Sequence, residues 1–303
     1  MNSYPAAAWG LCESACEAYE TPMSHARCLC EAVTWDLDGP FEWMSHCHCS
    51  RCRKAHGAAF ATYVAGPAAG FRLRGAEHVV RWESAPGFVR CFCGRCGSVV
   101  PGDAVEGRAF VPAGNFDDDP GVRPLAHIFV ASKAPWLELA DDLPRFDAYP
   151  AGIDAPVLPD RAPLDPPGNP RGSCLCGGVR YVIETSPLRC WNCHCGRCRR
   201  ARSAAHASNL ITSVDGLRFT GGEELLRSYK VPDAQHFTHR FCGTCGSSMP
   251  RIDRSRGFAI VPMGSLDDDP GMHPQAHIFV ASMAPWYTIA DGLPRYPDYP
   301  PSK

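Results

Sequence analysis

The sequence lacks a long apolar run, a large net charge and the features of a secretory leader, and each absence excludes a class of protein. No stretch approaches the roughly 18 apolar residues that a transmembrane helix needs, and the first 20 residues lack the basic start and apolar core of a signal peptide. The net charge of -2 gives no overall attraction to nucleic acid or to an anionic membrane. We therefore expect a cytoplasmic protein without a membrane partner, and the charge disfavours nucleic acid as a ligand.

Helical periodicity is also scarce in this chain of 303 residues. The clearest segments are short β-branched or aromatic runs bounded by glycine, proline and aspartate, which are typical of strands in antiparallel sheets. The stretches Arg51 to His56 and Arg197 to Arg202 are predicted as short helices, because they contain neither glycine nor proline. The predicted strands are 32–36, 71–73, 109–112 and 127–130 in the first half and 179–184, 217–220, 258–262 and 277–280 in the second.

Cysteine, in contrast, is abundant, with 18 residues, and most of these fall in a pattern that occurs twice. Each copy reads CxC, then CHCxxC, then CxxC. The two copies are offset by 146 residues at the first two groups and by 149 at the last. The repeated cysteines are Cys28, Cys30, Cys47, Cys49, Cys52, Cys93 and Cys96 in the first copy, and Cys174, Cys176, Cys193, Cys195, Cys198, Cys242 and Cys245 in the second.

The repeat extends beyond the cysteines, because FDDDPG at 116–121 matches LDDDPG at 266–271, and HIFVASKAPW matches HIFVASMAPW 150 residues later. A period of this length is the size of a domain and longer than the repeats of solenoids. We predict two tandem domains that pack as a pseudo-dimer. The predicted segments are an N-terminal extension at 1–22, a first domain at 23–149, a proline-rich linker at 150–170 and a second domain at 171–303.

Seven thiols in each copy indicate metal rather than disulfides, because the cysteines of a CxC cannot easily bond each other and an odd number cannot all pair. A structural zinc takes four protein ligands, whereas a catalytic zinc takes three and keeps one position open. We therefore expect about two Zn²⁺ ions in each domain. The predicted structural quartets are Cys28, Cys30, Cys93, Cys96 and Cys174, Cys176, Cys242, Cys245; the predicted catalytic trios are Cys47, Cys49, Cys52 and Cys193, Cys195, Cys198.

Other residues near the trios have more than one interpretation. Cys91 and Cys190 lie outside the repeated set and either complete a four-thiolate shell around a trio or, as we favour, are buried and inert. His48 and His194, each between two ligands, suit a supporting role rather than a place on the metal. The basic residues Arg51, Arg53, Arg197 and Arg199, with Lys54, Arg200 and Arg202, either offset the negative charge and bind substrate carboxylates or are solvated surface cations.

The motifs GSCLCGGVRY at 172–181, NCHCGRCRR at 192–200, FCGTCGSSMP at 241–250 and HIFVASMAPW at 277–286 resemble those of the glutathione-dependent formaldehyde-activating enzyme family, also called the centromere protein V family. The resemblance implies a mainly β fold of small antiparallel sheets, of the β-tent kind, with one structural and one active-site zinc in each domain. It also implies a carbon-sulfur lyase that interconverts S-hydroxymethylglutathione with glutathione and formaldehyde. The resemblance places the quartets in the structural role and the trios in the catalytic one.

Four points stay open in the sequence. A rival interpretation is a zinc-ribbon module that binds nucleic acid or a protein through the basic residues, and another is a zinc or thiol buffer without turnover. The first copy departs from the family pattern where Glu31 and Ala32 replace Gly177 and Gly178, although it keeps all seven cysteines. His127 and His277 are either core residues or groups in the substrate pocket. Cys12 and Cys16 have no counterpart in the second copy.

Overall fold

The structure is a computed structural model that describes residues 23–161 and 168–301. These residues form 21 strands and two α-helices, so the fold is mainly β, as predicted. Neither helix is long and apolar enough to cross a membrane within the described ranges. The predicted extension with Cys12 and Cys16 lies outside the described residues.

The first copy contains three small sheets and one helix. Its elements are β1 (Ser24–Arg27), β2 (Thr34–Leu37), β3 (Trp43–Cys47), α1 (Ser50–His56), β4 (Ala61–Pro67), β5 (Phe71–Arg74), β6 (Val79–Ala85), β7 (Phe88–Cys93), β8 (Val99–Val100), β9 (Arg108–Pro112), β10 (Ala126–Ile128) and β11 (Arg145–Phe146). The central sheet has the order β11-β10-β3-β4-β9, and the outer sheets have the orders β1-β2-β5 and β6-β7-β8.

The second copy repeats this plan with one added edge strand, β19, and without counterparts of β8 and β11. Its elements are β12 (Arg171–Ser173), β13 (Arg180–Ile183), β14 (Arg189–Cys193), α2 (Gly196–Arg202), β15 (Ala207–Ser213), β16 (Leu217–Gly221), β17 (Leu226–Lys230), β18 (Thr238–Cys242), β19 (Arg251–Asp253), β20 (Phe258–Pro262) and β21 (His277–Ile278). The central sheet has the order β19-β20-β15-β14-β21, and the outer sheets are β12-β13-β16 and β17-β18.

The sheets are antiparallel except at the edge of each central sheet that lies beside the trio. Strand β10 runs parallel to β3 and to β11, and β21 runs parallel to β14 in the second copy. This pairing places the repeated HIFVAS block next to the strand that carries the first cysteine of the trio. The His48 amide donates to the Ile128 carbonyl at 2.9 Å, and the His194 amide donates to the Ile278 carbonyl at the same distance. The parallel strand therefore fixes the backbone of each trio loop.

Large aromatic side chains fill the core of both copies. Trp136 and Trp286, from the repeated APW block, are only 2% and 1% exposed. Trp35, Phe116 and Tyr181 are also fully buried. A buried aromatic side chain removes about 150–250 Å² from water, so these residues contribute much of the apolar burial that stabilises such short strands.

Equivalent residues of the two copies make reciprocal contacts. Lys54 of α1 forms an ion pair with Asp267 at 2.8 Å, and Arg200 of α2 forms one with Asp117 at 2.5 Å. Lys54 is 3% exposed, so loss of Asp267 would leave a buried charge unpaired. These two cations, which the sequence offered as groups that offset the charge of the trio or bind substrate carboxylates, instead pair with the DDDP block of the opposite copy.

Close glycine contacts accompany the ion pairs. Gly97 and Gly246 adopt the left-handed region, with φ of +77° and +74°, in the turns that carry the last two cysteines of each quartet. A Cβ atom on Gly97 would lie 2.4 Å from Cγ of Phe241, and one on Gly246 would lie 2.4 Å from Cγ of Phe92. Each quartet turn therefore packs against an aromatic ring of the other copy.

Candidate metal centres

Each trio is assembled by a strand, a tight turn and the first turn of a helix. In the first copy Cys47 ends β3, Cys49 caps α1 and Cys52 lies in its first turn. The Cys49 sulfur accepts a hydrogen bond from the Cys52 amide at 3.3 Å, and Cys195 accepts one from the Cys198 amide at 3.4 Å. This capping turns the side chains toward one point. The three sulfurs of each trio lie within 4.8 Å of one another.

Each quartet joins two loops that are distant in sequence. In the first copy the Cys30 sulfur lies 3.6 Å from those of Cys28 and Cys93, and in the second the Cys176 sulfur lies 3.3 Å from Cys174 and 3.8 Å from Cys242. A tetrahedral zinc with bonds of about 2.3 Å holds its sulfurs roughly 3.8 Å apart. The four thiols therefore have the spacing of a closed zinc site.

A serine ties the two loops of each quartet together. Ser98 accepts a hydrogen bond from the Leu29 amide through its hydroxyl oxygen at 3.0 Å, and Ser247 accepts one from the Leu175 amide at 3.0 Å. These bonds link the CxC loop to the CxxC turn without using a sulfur. The repeated CGS triplets in the sequence carry this serine, and it was not among the predicted site residues.

The crowding of buried thiols in the trios favours a bound cation. Hydrogen bonds with Cys47 and Cys49 hold the pKa of Cys52 well below its ordinary value, while hydrogen bonds with Cys49 and Cys52 raise the pKa of Cys47 well above it. Hydrogen bonds with Cys193 and Cys198 lower the pKa of Cys195 to about 3, and hydrogen bonds with Cys193 and Cys195 raise that of Cys198. One thiolate thus forms at the expense of the others. A divalent cation allows all three thiols to ionise, so the donor set fits zinc.

Neither trio gains a fourth protein ligand within 23–161 and 168–301. No further cysteine, histidine or carboxylate in those ranges joins the three sulfurs within 4.8 Å. The Cys190 sulfur lies 2.9 Å from the sulfur of Met263, and Cys91 is 4% exposed and belongs to neither cluster of its copy. The described part of the chain therefore presents four thiols at each quartet and three at each trio.

The sequence profile of the family described as glutathione-dependent formaldehyde-activating enzyme matches residues 23–132 and 169–282. The chain belongs to this family. Each matched segment contains one quartet and one trio, so the chain carries two tandem copies of the formaldehyde-activating unit. Membership connects the chain with glutathione and formaldehyde chemistry.

Among solved structures, the chain is similar to a Rhodobacter sphaeroides protein from a structural genomics programme, with 28% sequence identity. The alignment covers 34% of this chain and 97% of that chain, with a TM-score of 0.27. A TM-score of this size supports no argument about fold or function. No curated protein matches the chain.

In each copy of this member of the formaldehyde-activating family, a hydrogen-bonded series of two histidines and one aspartate supports the trio. His48 and His127 are joined at 2.8 Å between Nε2 and Nδ1, and Nε2 of His127 lies 2.9 Å from the Asp141 carboxylate. His194, His277 and Asp291 repeat the arrangement at 2.8 and 3.0 Å. Burial lowers the pKa of His127 although Asp141 opposes the shift. The histidines were candidates in the sequence, whereas the aspartates, which the repeated ADxLPR segment carries, were not predicted.

The Asp141 carboxylate sets the direction of the hydrogen bonds in this chain of side chains. A neutral His127 donates from Nε2 to Asp141 and so accepts at Nδ1, which makes Nε2 of His48 the donor between the two rings. The remaining Nδ1 of His48 is buried without a partner, as is Nδ1 of His194. The arrangement holds the ring between Cys47 and Cys49 in one orientation, as outer-shell partners do in metal sites.

The structure places the four predicted substrate-binding arginines in different environments. Arg51 donates to the carbonyls of Ser84 and Pro159, and Arg53 donates to those of His48 and Ser132. Arg197 is exposed, whereas Arg199 is 7% exposed and its Nε has no partner. In the first copy these arginines therefore bind backbone oxygens near the trio and hold the loops around it.

A half-buried arginine that was not predicted from the sequence contacts the first trio. Arg90 of β7 lies with Nη2 3.7 Å from the Cys52 sulfur. The equivalent residue of β18 is His239, which lies 3.1 Å from Nη1 of Arg202, one helical turn after Cys198. The first copy has His56 at the position of Arg202. The two copies thus keep one arginine and one histidine at this pair of positions, with the two residue types exchanged.

Proposed function

We propose that the chain is a zinc-dependent enzyme that forms or cleaves the carbon-sulfur bond between a thiol such as glutathione and a small aldehyde such as formaldehyde. The observation that carries this proposal is the unequal pair of clusters in each copy, four thiols in one and three in the other. Zinc with three protein ligands is the arrangement of catalytic sites. Membership of the formaldehyde-activating family supports the choice of thiol and aldehyde.

In this proposal the quartets are structural and the trios are catalytic, as the sequence analysis predicted. About two zinc ions are held in each copy, and the chain works in the cytoplasm as two domains, 23–149 and 171–303, joined by a linker at 150–170. The reciprocal contacts of Lys54 with Asp267 and of Arg200 with Asp117 support a pseudo-dimer.

The chemistry needs a thiolate beside an aldehyde carbon. A zinc ion at the trio would supply an open position for a sulfur ligand. The substrate thiol gives up its proton, its sulfur forms a bond with the aldehyde carbon, and the carbonyl oxygen takes a proton to become a hydroxyl group; cleavage is the reverse. Because thiols already add to formaldehyde unaided, positioning and thiolate formation are sufficient contributions from the protein.

The side chains around the trio have separate tasks in this scheme. The His48, His127 and Asp141 chain holds the ligand loop, and its equivalent does so in the second copy. Arg90 places a half-buried positive charge beside the first trio, which offsets part of the thiolate charge.

Metal analysis combined with an activity assay tests the proposal. The purified chain is expected to hold about four zinc ions, and about two after both trios are changed to serine. Glutathione-dependent formaldehyde consumption should then disappear while the fold persists. Cys190→Ala is a matched control, because Cys190 lies on the same strand as Cys193 but outside the cluster. Unchanged zinc content, or full activity without the trios, would contradict the proposal.

A further inference from the structure

A carboxylate of the linker is bound directly beside the first trio. Asp160 accepts a hydrogen bond from the Ser50 hydroxyl at 2.5 Å and another from the Ser50 amide at 3.4 Å. Ser50 follows the trio ligand Cys49 in sequence and precedes Cys52 by two residues. The chain therefore binds one of its own carboxylates through a residue adjacent to a predicted metal ligand.

Further groups of the first copy complete this carboxylate-binding position. Burial acts to raise the pKa of Asp160, but hydrogen bonds from Ser50 and Ser132 and the charge of Arg53 lower it. Arg53 donates to the carbonyl of Ser132 at 3.3 Å and to that of His48, in the trio loop, at 3.3 Å. Two hydroxyls and one amide thus bind the carboxylate, and the arginine that contacts both Ser132 and the trio loop adds favourable charge.

The linker is held on both sides of this carboxylate. The carbonyl of Pro159 accepts a hydrogen bond from Nε of Arg51 at 3.2 Å. Arg161 donates through Nη1 to the carbonyl of Leu175, in the CxC loop of the second quartet, at 2.7 Å. Asp160 itself is exposed. Because exposed hydrogen bonds contribute little net free energy, a carboxylate from solution can compete for the same position.

The backbone around this position is the same in both copies. The cap residues Cys49 and Cys195 have φ and ψ of -57° and 145° and of -61° and 149°. The two HIFVAS blocks pair with the trio strands in the same parallel direction, and both end in a single 3₁₀ turn, Val130–Ser132 and Val280–Ser282. The last serine of each block is therefore placed equivalently beside its trio helix.

The second copy retains the serine and the arginine of this position. Ser282 and Arg199 stand where the first copy has Ser132 and Arg53, while Gly196 replaces the serine that binds the linker. Arg199 is only 7% exposed, and its Nε is buried without a partner in the described part of the chain. Ser282 is exposed, whereas Ser132 is half-buried. A buried cation and an accessible hydroxyl are thus available to a carboxylate that is not one of the described residues.

The residues around the second trio are also more accessible. Arg51 is half-buried in the first copy, where it binds the linker, and its equivalent Arg197 is exposed. Cys52 is buried, and its equivalent Cys198 is half-buried. A ligand therefore has access to the second trio on the face that the linker contacts in the first copy.

We propose that the position beside each trio is a binding site for a carboxylate of the thiol substrate, that Asp160 occupies it in the first copy, and that Arg199 and Ser282 bind the substrate carboxylate in the second. The linker is then an internal competitor of the substrate, and the second copy takes up substrate in the intact chain. The inference rests on the proposed function, because it takes the ligand to be an anionic thiol of the glutathione type.

Calorimetry with S-methylglutathione counts the free sites without the reaction, since the methylated sulfur has no thiol to ionise. The unaltered chain should bind about one equivalent, and Asp160→Asn should bind about two, because the competing charge of the linker is lost. Asp160 is exposed, so its substitution leaves the core intact. Asp154→Asn is the matched control, because Asp154 is another exposed acid of the same linker, and it should leave the stoichiometry unchanged.

Arg199→Gln tests the site of the second copy in the same assay. It should weaken binding of S-methylglutathione about tenfold, because the buried charge that binds the carboxylate is lost. Arg189→Gln is its control, since Arg189 is an exposed arginine of β14, the strand that carries Cys193. The dissociation constant of this control should stay within about twofold of that of the unaltered chain. The diethyl ester of the ligand should bind weakly to every variant.

The role of Asp160 would be overturned by a stoichiometry that does not rise in Asp160→Asn, by an equal rise in Asp154→Asn, or by an unaltered chain that already binds at both copies. An unchanged affinity in Arg199→Gln would overturn the site of the second copy, and no binding to the unaltered chain would overturn both. A gain of binding in Asp160→Asn, in a chain that fails to consume formaldehyde, would support the carboxylate sites and contradict the proposed reaction. Consumption of formaldehyde with unchanged binding in every variant would do the opposite.

Discussion

The two copies share their sulfurs and differ in what surrounds them. Both trios use the same strand, turn and helix, but Cys52 is buried in the first copy while its equivalent, Cys198, is only half-buried in the second. The difference arises partly from the linker. Asp160 accepts a hydrogen bond from the Ser50 hydroxyl at 2.5 Å, and Gly196 stands at the position of Ser50 in the second copy. The cysteine frame is thus retained in both copies, while exposure of the trio has diverged.

The largest expected difference is in the free energy of unfolding, between loss of a quartet ligand and loss of a trio ligand within one copy. Cys242→Ser removes a ligand from the second quartet and should destabilise the chain by on the order of 5 kcal/mol, because metal binding at such sites contributes directly to folding. Cys195→Ser removes a trio ligand and should cost far less, since its loop is also held by the His194 chain. Urea unfolding of the two variants measures both values. Equal losses would break the distinction between structural and catalytic sites.

The next largest expected difference is in enzymatic activity, between loss of a ligand from the second trio and loss of one from the first. Cys195→Ser should lower glutathione-dependent formaldehyde consumption by at least about 100-fold, the upper range for loss of a metal's outer-shell partner. Cys49→Ser should lower it much less, because Pro159 and Asp160 of the linker bind Arg51 and Ser50 beside the first trio and restrict access to it. Steady-state rates with each variant, at matched zinc content, test this. A greater loss of activity in Cys49→Ser than in Cys195→Ser would contradict this ranking of the two trios.

The exchanged arginine and histidine provide a smaller and more specific test. Arg90→His should weaken zinc binding at the first trio about tenfold, because the half-buried charge next to Cys52 is lost. Adding His56→Arg recreates the second copy's arrangement and should restore most of the affinity. Competition with a zinc chelator gives both numbers. If the second substitution adds to the damage instead, the two positions do not compensate each other.

The smallest expected effect is that of the linker on access to the first trio. Ser50→Gly copies the second copy and removes the hydroxyl bound to Asp160, so local opening should become a few-fold more frequent. Alkylation of Cys49 by iodoacetamide in the zinc-free protein should accelerate about threefold. The rate at Cys195 serves as the internal reference. An unchanged ratio of the two rates would show that the linker does not limit access.

Both helices, several strands and the grouping of the cysteines could be predicted from the sequence, because the same pattern occurs twice. Every predicted strand overlaps an observed one, and the predicted helices begin within one residue of α1 and α2. Strands β3 and β14 are among the strands that were not predicted, since their cysteines and polar residues hide the alternation of apolar residues. The parallel pairing of β10 with β3 joins residues about 80 positions apart, and no local pattern specifies it.

The site was predictable only where chemistry lies close together in sequence. The CHCxxC motif places three ligands in one loop, so the trios followed from spacing alone. Arg90 reaches Cys52 from another sheet, and Asp141 reaches His127 across a loop of 14 residues. Tertiary packing brings such partners together, and no local sequence pattern indicates them. The exchange of arginine and histidine is visible when the two copies are aligned, because Arg90 aligns with His239 and His56 aligns with Arg202.

The most direct test of the central claim is a crystal structure with anomalous diffraction collected at the zinc edge. Four zinc peaks are expected. Two of the ions should be bound by four cysteine sulfurs, and the other two by three cysteine sulfurs and a fourth ligand that is not protein. A fourth protein atom bound to the ion at both trios, including one from Cys12 or Cys16, would contradict the catalytic role of these sites.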